Sequence, residues 1–134
     1  MQLDKVNLII KFYKDLVNRK DNEPIEPIVT KLIKSAQDSL KNIQIVCTSK
    51  SEYEEFSKIA DALGFRWKTG DKYTELNNYD RHEHIKYIAY DLSDGTYGKV
   101  YDISDDTIEN IKSVKWFIEN YKLIADTINL DINQ

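Results

Sequence analysis

Gly64-Phe65-Arg66-Trp67-Lys68-Thr69-Gly70 decides how this chain is interpreted, because a helix ends, a strand begins and a turn opens within this stretch. An apolar helical period runs up to it, so Gly64 is expected to form the left-handed cap that ends a helix. Two aromatic residues then alternate with two basic residues, as residues on the two faces of a strand do. The stretch contains no metal ligand or phosphate-binding loop. It therefore predicts architecture and not chemistry.

The sequence on either side of this stretch predicts a sheet. Residues 42–48 are rich in Ile and Val and too short for a helix, which favours a strand. Ser49 and Ser51 each precede a glutamate by three residues, so either can form a capping box at the start of a helix over 52–63. After Gly70, residues 73–76 are expected to be extended, 85–92 to form a central strand, and Asp94-Gly95 to turn the chain into a returning strand over 97–102.

Helices are expected at both ends of the chain. Residues 1–41 predict a helical hairpin, with one apolar stripe of its first helix facing the core: Leu3, Val6, Ile10, Tyr13 and Val17. Residues 105–130 predict a long C-terminal helix that starts at a capping box between Asp106 and Glu109. The whole chain, 1–134, is then one α+β domain: the hairpin, a strand-helix-sheet module over 42–103 with a mostly antiparallel sheet, and the C-terminal helix.

Composition narrows the function classes. The chain has 134 residues, a net charge of -4 and a mean hydropathy of -0.58, and it has no apolar run long enough for a membrane span. Its pI of about 5.2 argues against general nucleic-acid binding. The first four residues lack the pattern of a signal peptide, so a cytoplasmic protein is expected. Cys47 is the one cysteine and lies in an apolar run, which is typical of a buried residue.

Two clusters could hold a metal ion, and both fail on ligand count or position. Arg81-His82-Glu83-His84 offers two histidines but needs Asp80 or Glu75 to complete a zinc site, so a solvated loop is the better interpretation. Residues 102–106 have the spacing of a calcium loop, yet Thr107 and Ser113 stand where glycine and a bidentate glutamate are required. Helix capping explains the same acidic residues. No metal and no cofactor are expected.

Catalytic machinery is equally absent from the sequence pattern. The four glycines are not spaced as a nucleotide fingerprint, Cys47 is expected to be buried, and both histidines lie in one loop. The chain is therefore expected not to be an enzyme and to have no catalytic residues.

Aromatic and basic side chains are the remaining candidates for function. Nine tyrosines is a high number for this length, and Tyr, Trp and Arg are enriched at binding hot spots. The alternative is that these rings pack a sheet face against helices. The predicted partner-binding residues are Arg66, Trp67, Lys68, Tyr73, Arg81 and Trp116.

The opening stretch and the residues that follow it, 71–75, resemble a module of small uncharacterised bacteriophage and prophage proteins. The shared pattern is a strand, a helix, glycine-aromatic-x-Trp-x-Ser/Thr-Gly and a β-hairpin, and it covers residues 43–103 of this chain. The module has no assigned catalytic residues to carry over. The resemblance implies a phage accessory protein, a class in which anti-CRISPR proteins and other inhibitors of host defence are common.

Three functions follow as expectations. The first is a non-enzymatic phage-type inhibitor that binds a bacterial host protein stoichiometrically in the host cytoplasm. The second is a sponge that sequesters a small nucleotide signal at an oligomer interface, with Arg66, Lys68 and Arg81 holding phosphate. The third is an intracellular immunity protein or antitoxin. Whether two chains pair as a homodimer is open at this point.

Overall fold

The computed structural model describes residues 5–20, 23–77, 79, 88–99 and 110–132. The helices in this part of the chain are α1 (Lys5–Asn18), α2 (Glu26–Ser39), α3 (Lys50–Ala62) and α4 (Val114–Ile132). The strands are β1 (Gln44–Cys47), β2 (Ile88–Asp91), β3 (Thr96–Lys99) and β4 (Ile111–Ser113). The predicted α+β class is confirmed, with its N-terminal helical hairpin and long C-terminal helix.

The four strands form one mixed sheet in the order β3-β2-β1-β4. β2 pairs antiparallel with both β1 and β3, and β4 runs parallel to β1. The mostly antiparallel sheet is therefore confirmed. Ile45, Val46 and Cys47 are all buried, as are the first three residues of β2, so the two inner strands are covered on both faces. β2 is central, as predicted for that segment, although residues 85–87 lie outside the described residues.

Local chemistry sets the two ends of α3. The Ser49 hydroxyl accepts a hydrogen bond from the Glu52 N–H at 3.2 Å, and the Glu52 carboxylate accepts one from the Thr48 N–H at 2.8 Å. Ser49, one of the two predicted serines, is therefore the N-cap, but the glutamate bonds to the residue before the cap and not to Ser49 itself as in a capping box. At the other end Gly64 has a φ of 84°, and the Phe65 N–H donates to the Ala60 carbonyl at 3.0 Å. The predicted left-handed cap is confirmed, in the Schellman form.

The strand predicted over 65–68 is wrong, because this segment lies outside the sheet. The Trp67 N–H donates to the Asp71 carbonyl at 2.9 Å and the Lys68 N–H to the Gly95 carbonyl at 3.1 Å, so no strand ladder forms. The alternation itself survives, since Phe65 and Trp67 are buried and Lys68 is exposed.

The extended segment predicted over 73–76 is also wrong. The Glu75 and Leu76 N–H groups both donate to the Lys72 carbonyl, which makes a turn. The Asp61 side chain stabilises its start, because its carboxylate accepts from the Tyr73 N–H at 2.8 Å and from the Thr74 N–H at 3.2 Å. A carboxylate from another element thus acts as the cap of this turn.

The hairpin between β2 and β3 is confirmed, but its turn is longer than the tight turn expected. Asp91 pairs with Thr96, which leaves four residues, 92–95, in the turn. Of Asp94 and Gly95, only the glycine has a positive φ, at 67°. The turn can be longer because it closes on a second segment: the Gly95 carbonyl accepts from the Lys68 N–H.

The C-terminal helix begins later than predicted. Ile111–Ser113 form β4, and the helix starts at Val114. The Gln44 N–H donates to the Asn110 carbonyl at 2.8 Å, so pairing with β1 competes with helix formation here and prevails. The Ser113 hydroxyl accepts from the Trp116 N–H at 3.1 Å and caps the helix, while the predicted cap at 106–109 lies outside the described residues.

The apolar stripe predicted to face the core from α1 is also wrong. Phe12 is the buried residue of this helix, with Leu8, Ile9 and Leu16 packed partly against the core. Val6, Ile10, Tyr13 and Val17, which we call the α1 stripe, are exposed instead; Leu3 lies outside the described residues. Both sets of residues recur at helical spacing, and packing against α2 and α4 selects the set that contains Phe12.

Candidate functional site

Trp67 and Tyr73 lie in the core, which corrects their assignment as partner-binding residues. They are 7% and 0% exposed, and their ring centroids are 4.2 Å apart. Phe56 meets Tyr73 edge-on with centroids 5.6 Å apart, and Tyr90 lies 5.8 Å from Trp67. These rings join α3, the 65–76 segment and β2 into one aromatic cluster. Their large area stabilises the fold and is not available to a partner.

Hydrogen bonds fix the polar ends of this cluster. The Trp67 indole N–H donates to the Leu76 carbonyl at 3.1 Å, and the Tyr53 hydroxyl donates to the Tyr73 carbonyl at 2.8 Å. The Tyr73 hydroxyl is buried and has no hydrogen-bond partner among the described residues. Burial raises the pKa of Tyr73 and of Tyr90 well above the ordinary value. Both phenols therefore stay protonated at neutral pH.

The other predicted partner-binding residues do not form one site. Arg66 is half-buried, and its Nη1 donates to the Phe65 carbonyl at 2.6 Å. Lys68 is exposed beside the hairpin turn. Trp116 is half-buried, with its ring 5.7 Å from that of Tyr121 and the Lys112 ammonium 5.6 Å from its centroid. Arg81 lies outside the described residues. Partner binding by Arg66, Lys68 and Trp116 stays a prediction.

The α1 stripe holds most of the exposed large apolar side chains in the described part of the chain. Six large apolar side chains are exposed among the described residues, and four of them make up the stripe: Val6 at 55%, Ile10 at 46%, Tyr13 at 43% and Val17 at 81%. The other two, Tyr97 and Leu123, lie on separate elements. The stripe borders a shallow groove of about 380 Å³ that Ile9 and Lys14 also line. A contiguous exposed apolar patch of this kind is typical of an interaction surface.

The spacing of the α1 stripe fits a helical partner or an apolar groove. Its residues follow one another at steps of four, three and four, which keeps them on one face of the helix as in a coiled-coil seam. Lys14 is exposed and lines the groove beside the stripe, whereas Lys11 lies on the side of α1 that faces α2 and lines a different groove with Phe12 and Ile28. The helix carries three lysines against one aspartate. Its charge is therefore opposite in sign to the net charge of the whole chain.

A second candidate surface is an open cleft between α3 and α4, with a volume of about 580 Å³. Four cationic side chains line it: Lys58, Arg66, Lys72 and Lys122. Its apolar wall comes from the facing sides of the two helices, Ile59, Ala62 and Ala125. The cleft includes Arg66 but neither Lys68 nor Trp116, so it is a different constellation from the one predicted.

Reactive groups are scarce in the described part of the chain. Burial raises the pKa of the Cys47 thiol well above its ordinary value, so the thiol is neutral and shielded from reagents. Among residues 5–20, 23–77, 79, 88–99 and 110–132, no three His, Cys, Asp or Glu side chains come together as a metal site. The predicted zinc and calcium candidates at 81–84 and 102–106 lie outside those residues.

None of the helices described is long and apolar enough to cross a membrane.

Comparison of the chain with protein-family models, with curated proteins and with solved structures finds no match. The two surfaces are therefore judged on their own geometry and charge.

Sequence reasoning missed both surfaces for identifiable reasons. The sequence of α1 carries two apolar stripes, and a helix that is apolar over more than half its circumference is expected to bury a second face against something. That second stripe was the available signal. The cleft had no such signal, because its cations come from α3, from the loop after it and from α4.

Proposed function

We propose that this protein is a non-enzymatic inhibitor of phage type that binds a bacterial defence protein stoichiometrically through the α1 stripe. The single observation that carries the proposal is the exposure of four large apolar side chains on one face of a helix whose opposite face is anchored in the core. The resemblance of residues 43–103 to a phage module supports the class of protein. The host cytoplasm is where such an inhibitor would act.

The α1 stripe supplies part of the free energy that specific binding requires. Fully burying a Val, Ile or Tyr-sized apolar side chain contributes about 1.5–3 kcal/mol, so residues that are half exposed contribute about 1 kcal/mol each when covered. Four such residues give about 4 kcal/mol, to which hydrogen bonds and charge pairs at the rim add. This falls short of a tight complex by itself, so we expect the partner to contact α1 along its length and to extend beyond it.

The charge beside the α1 stripe favours a partner with acidic side chains. Lys14 is exposed at its margin, and within the described residues no acidic side chain pairs with it. Opposite charges across an interface steer association and fix register. We therefore expect an apolar groove or amphipathic helix with an acidic margin on the host protein.

The test is phage growth on a bacterial strain whose defence system restricts that phage. Expression of the wild-type chain is expected to restore plaque formation. The double variant Ile10→Glu/Val17→Glu places two charges in the α1 stripe and is expected to abolish the effect. The matched control is Leu123→Glu, since Leu123 is an exposed apolar residue on α4 at 53% exposure; it is expected to act as wild type.

Two results would contradict the proposal. One is that the double variant restores plaques as well as wild type across every defence system on which wild type acts. The other is that the purified chain turns over a substrate and that this turnover accounts for the restored growth. Circular dichroism shows whether each variant is folded, which separates loss of binding from loss of structure.

A further inference from the structure

We infer that the α3–α4 cleft is a binding site for a phosphate-bearing small molecule of about nucleotide size. The inference rests on the cleft's volume and cations and is independent of the proposed function, which rests on α1. Its volume of about 580 Å³ lies in the range of small-molecule sites, roughly 300–1,000 Å³.

The cleft concentrates cationic side chains in a protein whose net charge is negative. The chain carries a net charge of -4, yet Lys58, Arg66, Lys72 and Lys122 all line one cleft. Lys122 pairs with Asp126 at 3.4 Å. The other three have no ion-pair partner among the described residues. Cations left without counter-ions in a concave surface are the electrostatic requirement for anion binding.

Arg66 is held in place as an anchor. Its Nη1 donates to the carbonyls of Phe65 at 2.6 Å and Asp61 at 3.3 Å, at the C-terminal end of α3. One guanidinium nitrogen is thus used to fix the side chain, and Nη2 and Nε have no partner among the described residues. A fixed guanidinium whose Nη2 and Nε are available can donate to two oxygens of one phosphate in a bidentate arrangement.

The acidic residues of the cleft offset only part of its cationic charge. The Asp61 carboxylate is occupied, because it accepts hydrogen bonds from the N–H groups of Tyr73 and Thr74 and from the Thr74 hydroxyl at 2.5 Å. Asp126 is paired with Lys122. With the exposed Glu55, the cleft holds three acidic side chains against four cationic ones, which leaves a net charge of +1.

The apolar wall of the cleft sets the expected size of the bound molecule. Ala62 is half-buried and supplies a small non-polar surface beside the cations, while Ile59 and Ala125 line the cleft with little exposed area. Inorganic phosphate would use the cations alone. A nucleoside phosphate would use both, with its base or sugar against the two helices, and is therefore expected to bind more tightly.

The experiment is isothermal titration of the full chain with pyrophosphate, ATP, cyclic di-AMP and adenosine at low salt. We expect at least one of the three phosphate-bearing probes to bind with a Kd below about 1 mM and adenosine not to bind. The test variant is Lys58→Gln/Lys72→Gln, and the matched control is Lys34→Gln/Lys41→Gln, which makes the same charge change at exposed positions outside the cleft. The test variant is expected to bind at least tenfold more weakly and the control within twofold of wild type.

The probes separate the two sources of phosphate. Tighter binding of ATP or cyclic di-AMP than of pyrophosphate supports a site of nucleotide size, and equal binding overturns that size because it identifies a site for phosphate alone. The inference is overturned if no phosphate-bearing probe binds, if adenosine binds as tightly as ATP, or if both double variants weaken binding equally. None of these results bears on the α1 stripe, because no residue of the stripe lines the cleft.

Discussion

Replacing Gly95 by alanine is expected to destabilise the protein far more than replacing Gly70 by alanine. Both glycines have a positive φ, 67° at Gly95 and 94° at Gly70, so alanine is strained at either position. The two differ in the space around them. A Cβ at Gly95 would lie 2.5 Å from the Lys68 N and 2.8 Å from the Arg66 O, whereas nothing lies within 4 Å of a Cβ at Gly70.

The expected magnitude follows from those contacts. Left-handed strain alone costs about 1–2 kcal/mol for alanine, and this applies to both variants. At Gly95 the clashing atoms are main-chain atoms that cannot rotate away, so the hairpin turn and the 66–68 segment must separate, at a further cost of about 1–3 kcal/mol. Separation also weakens the hydrogen bond from the Lys68 N–H to the Gly95 carbonyl. We expect Gly95→Ala to lose about 2–5 kcal/mol and Gly70→Ala about 1–2 kcal/mol.

The assay is urea unfolding of the two variants and of wild type, with circular dichroism as the signal. With an m value of about 2 kcal/mol per molar urea, the two midpoints are expected to differ by about 1 M. Equal midpoints for Gly95→Ala and Gly70→Ala would refute the reasoning, because they would mean that the hairpin turn does not pack on the 66–68 backbone.

Two further predictions concern buried polar groups. Tyr53→Phe is expected to lower the free energy of unfolding by about 1–2 kcal/mol, because the Tyr53 hydroxyl donates to two main-chain carbonyls. Tyr73→Phe is expected to leave the free energy of unfolding unchanged or raise it by up to about 1 kcal/mol, because the Tyr73 hydroxyl is unpaired among the described residues. Urea unfolding of both variants checks this, and losses of the same size would contradict it. Burial raises the pKa of the Cys47 thiol, so the folded state holds this proton more tightly than the unfolded state does. As pH rises above the ordinary pKa of 9.0, the free energy of unfolding should therefore fall, by up to about 1.4 kcal/mol per pH unit. Urea unfolding at pH 8 and pH 10 measures the fall, which should be smaller in Cys47→Ala.

Much of the fold could be predicted from local signals in the sequence. Ser49 and Gly64 mark the ends of α3 because capping depends on a few neighbouring residues, and Gly95 marks the hairpin for the same reason. The errors occur where a distant segment competes with local preference. Residues 111–113 continue a helical period but pair with β1, and residues 65–68 alternate as a strand does but bond to the hairpin turn and to Asp71.

The candidate surfaces were harder to predict than the fold, since exposure depends on the packing of the whole chain. Trp67 and Tyr73 are residue types that favour interfaces, and the same large rings also favour a core. Val6, Ile10, Tyr13 and Val17 have the spacing of a core stripe, and only the position of Phe12 against the other helices shows that they face outward.

The most direct test of the central claim is a titration of the purified chain against the bacterial defence protein proposed as its partner. We expect one-to-one binding, and we expect Ile10→Glu/Val17→Glu to weaken it at least 30-fold, which corresponds to the loss of about 2 kcal/mol from two covered apolar side chains. The thermal midpoint of that variant should match wild type, because Val17 is 81% exposed and Ile10 46%. Leu123→Glu should bind within twofold of wild type. An unchanged Kd for the double variant would contradict the claim that the α1 stripe is the binding surface.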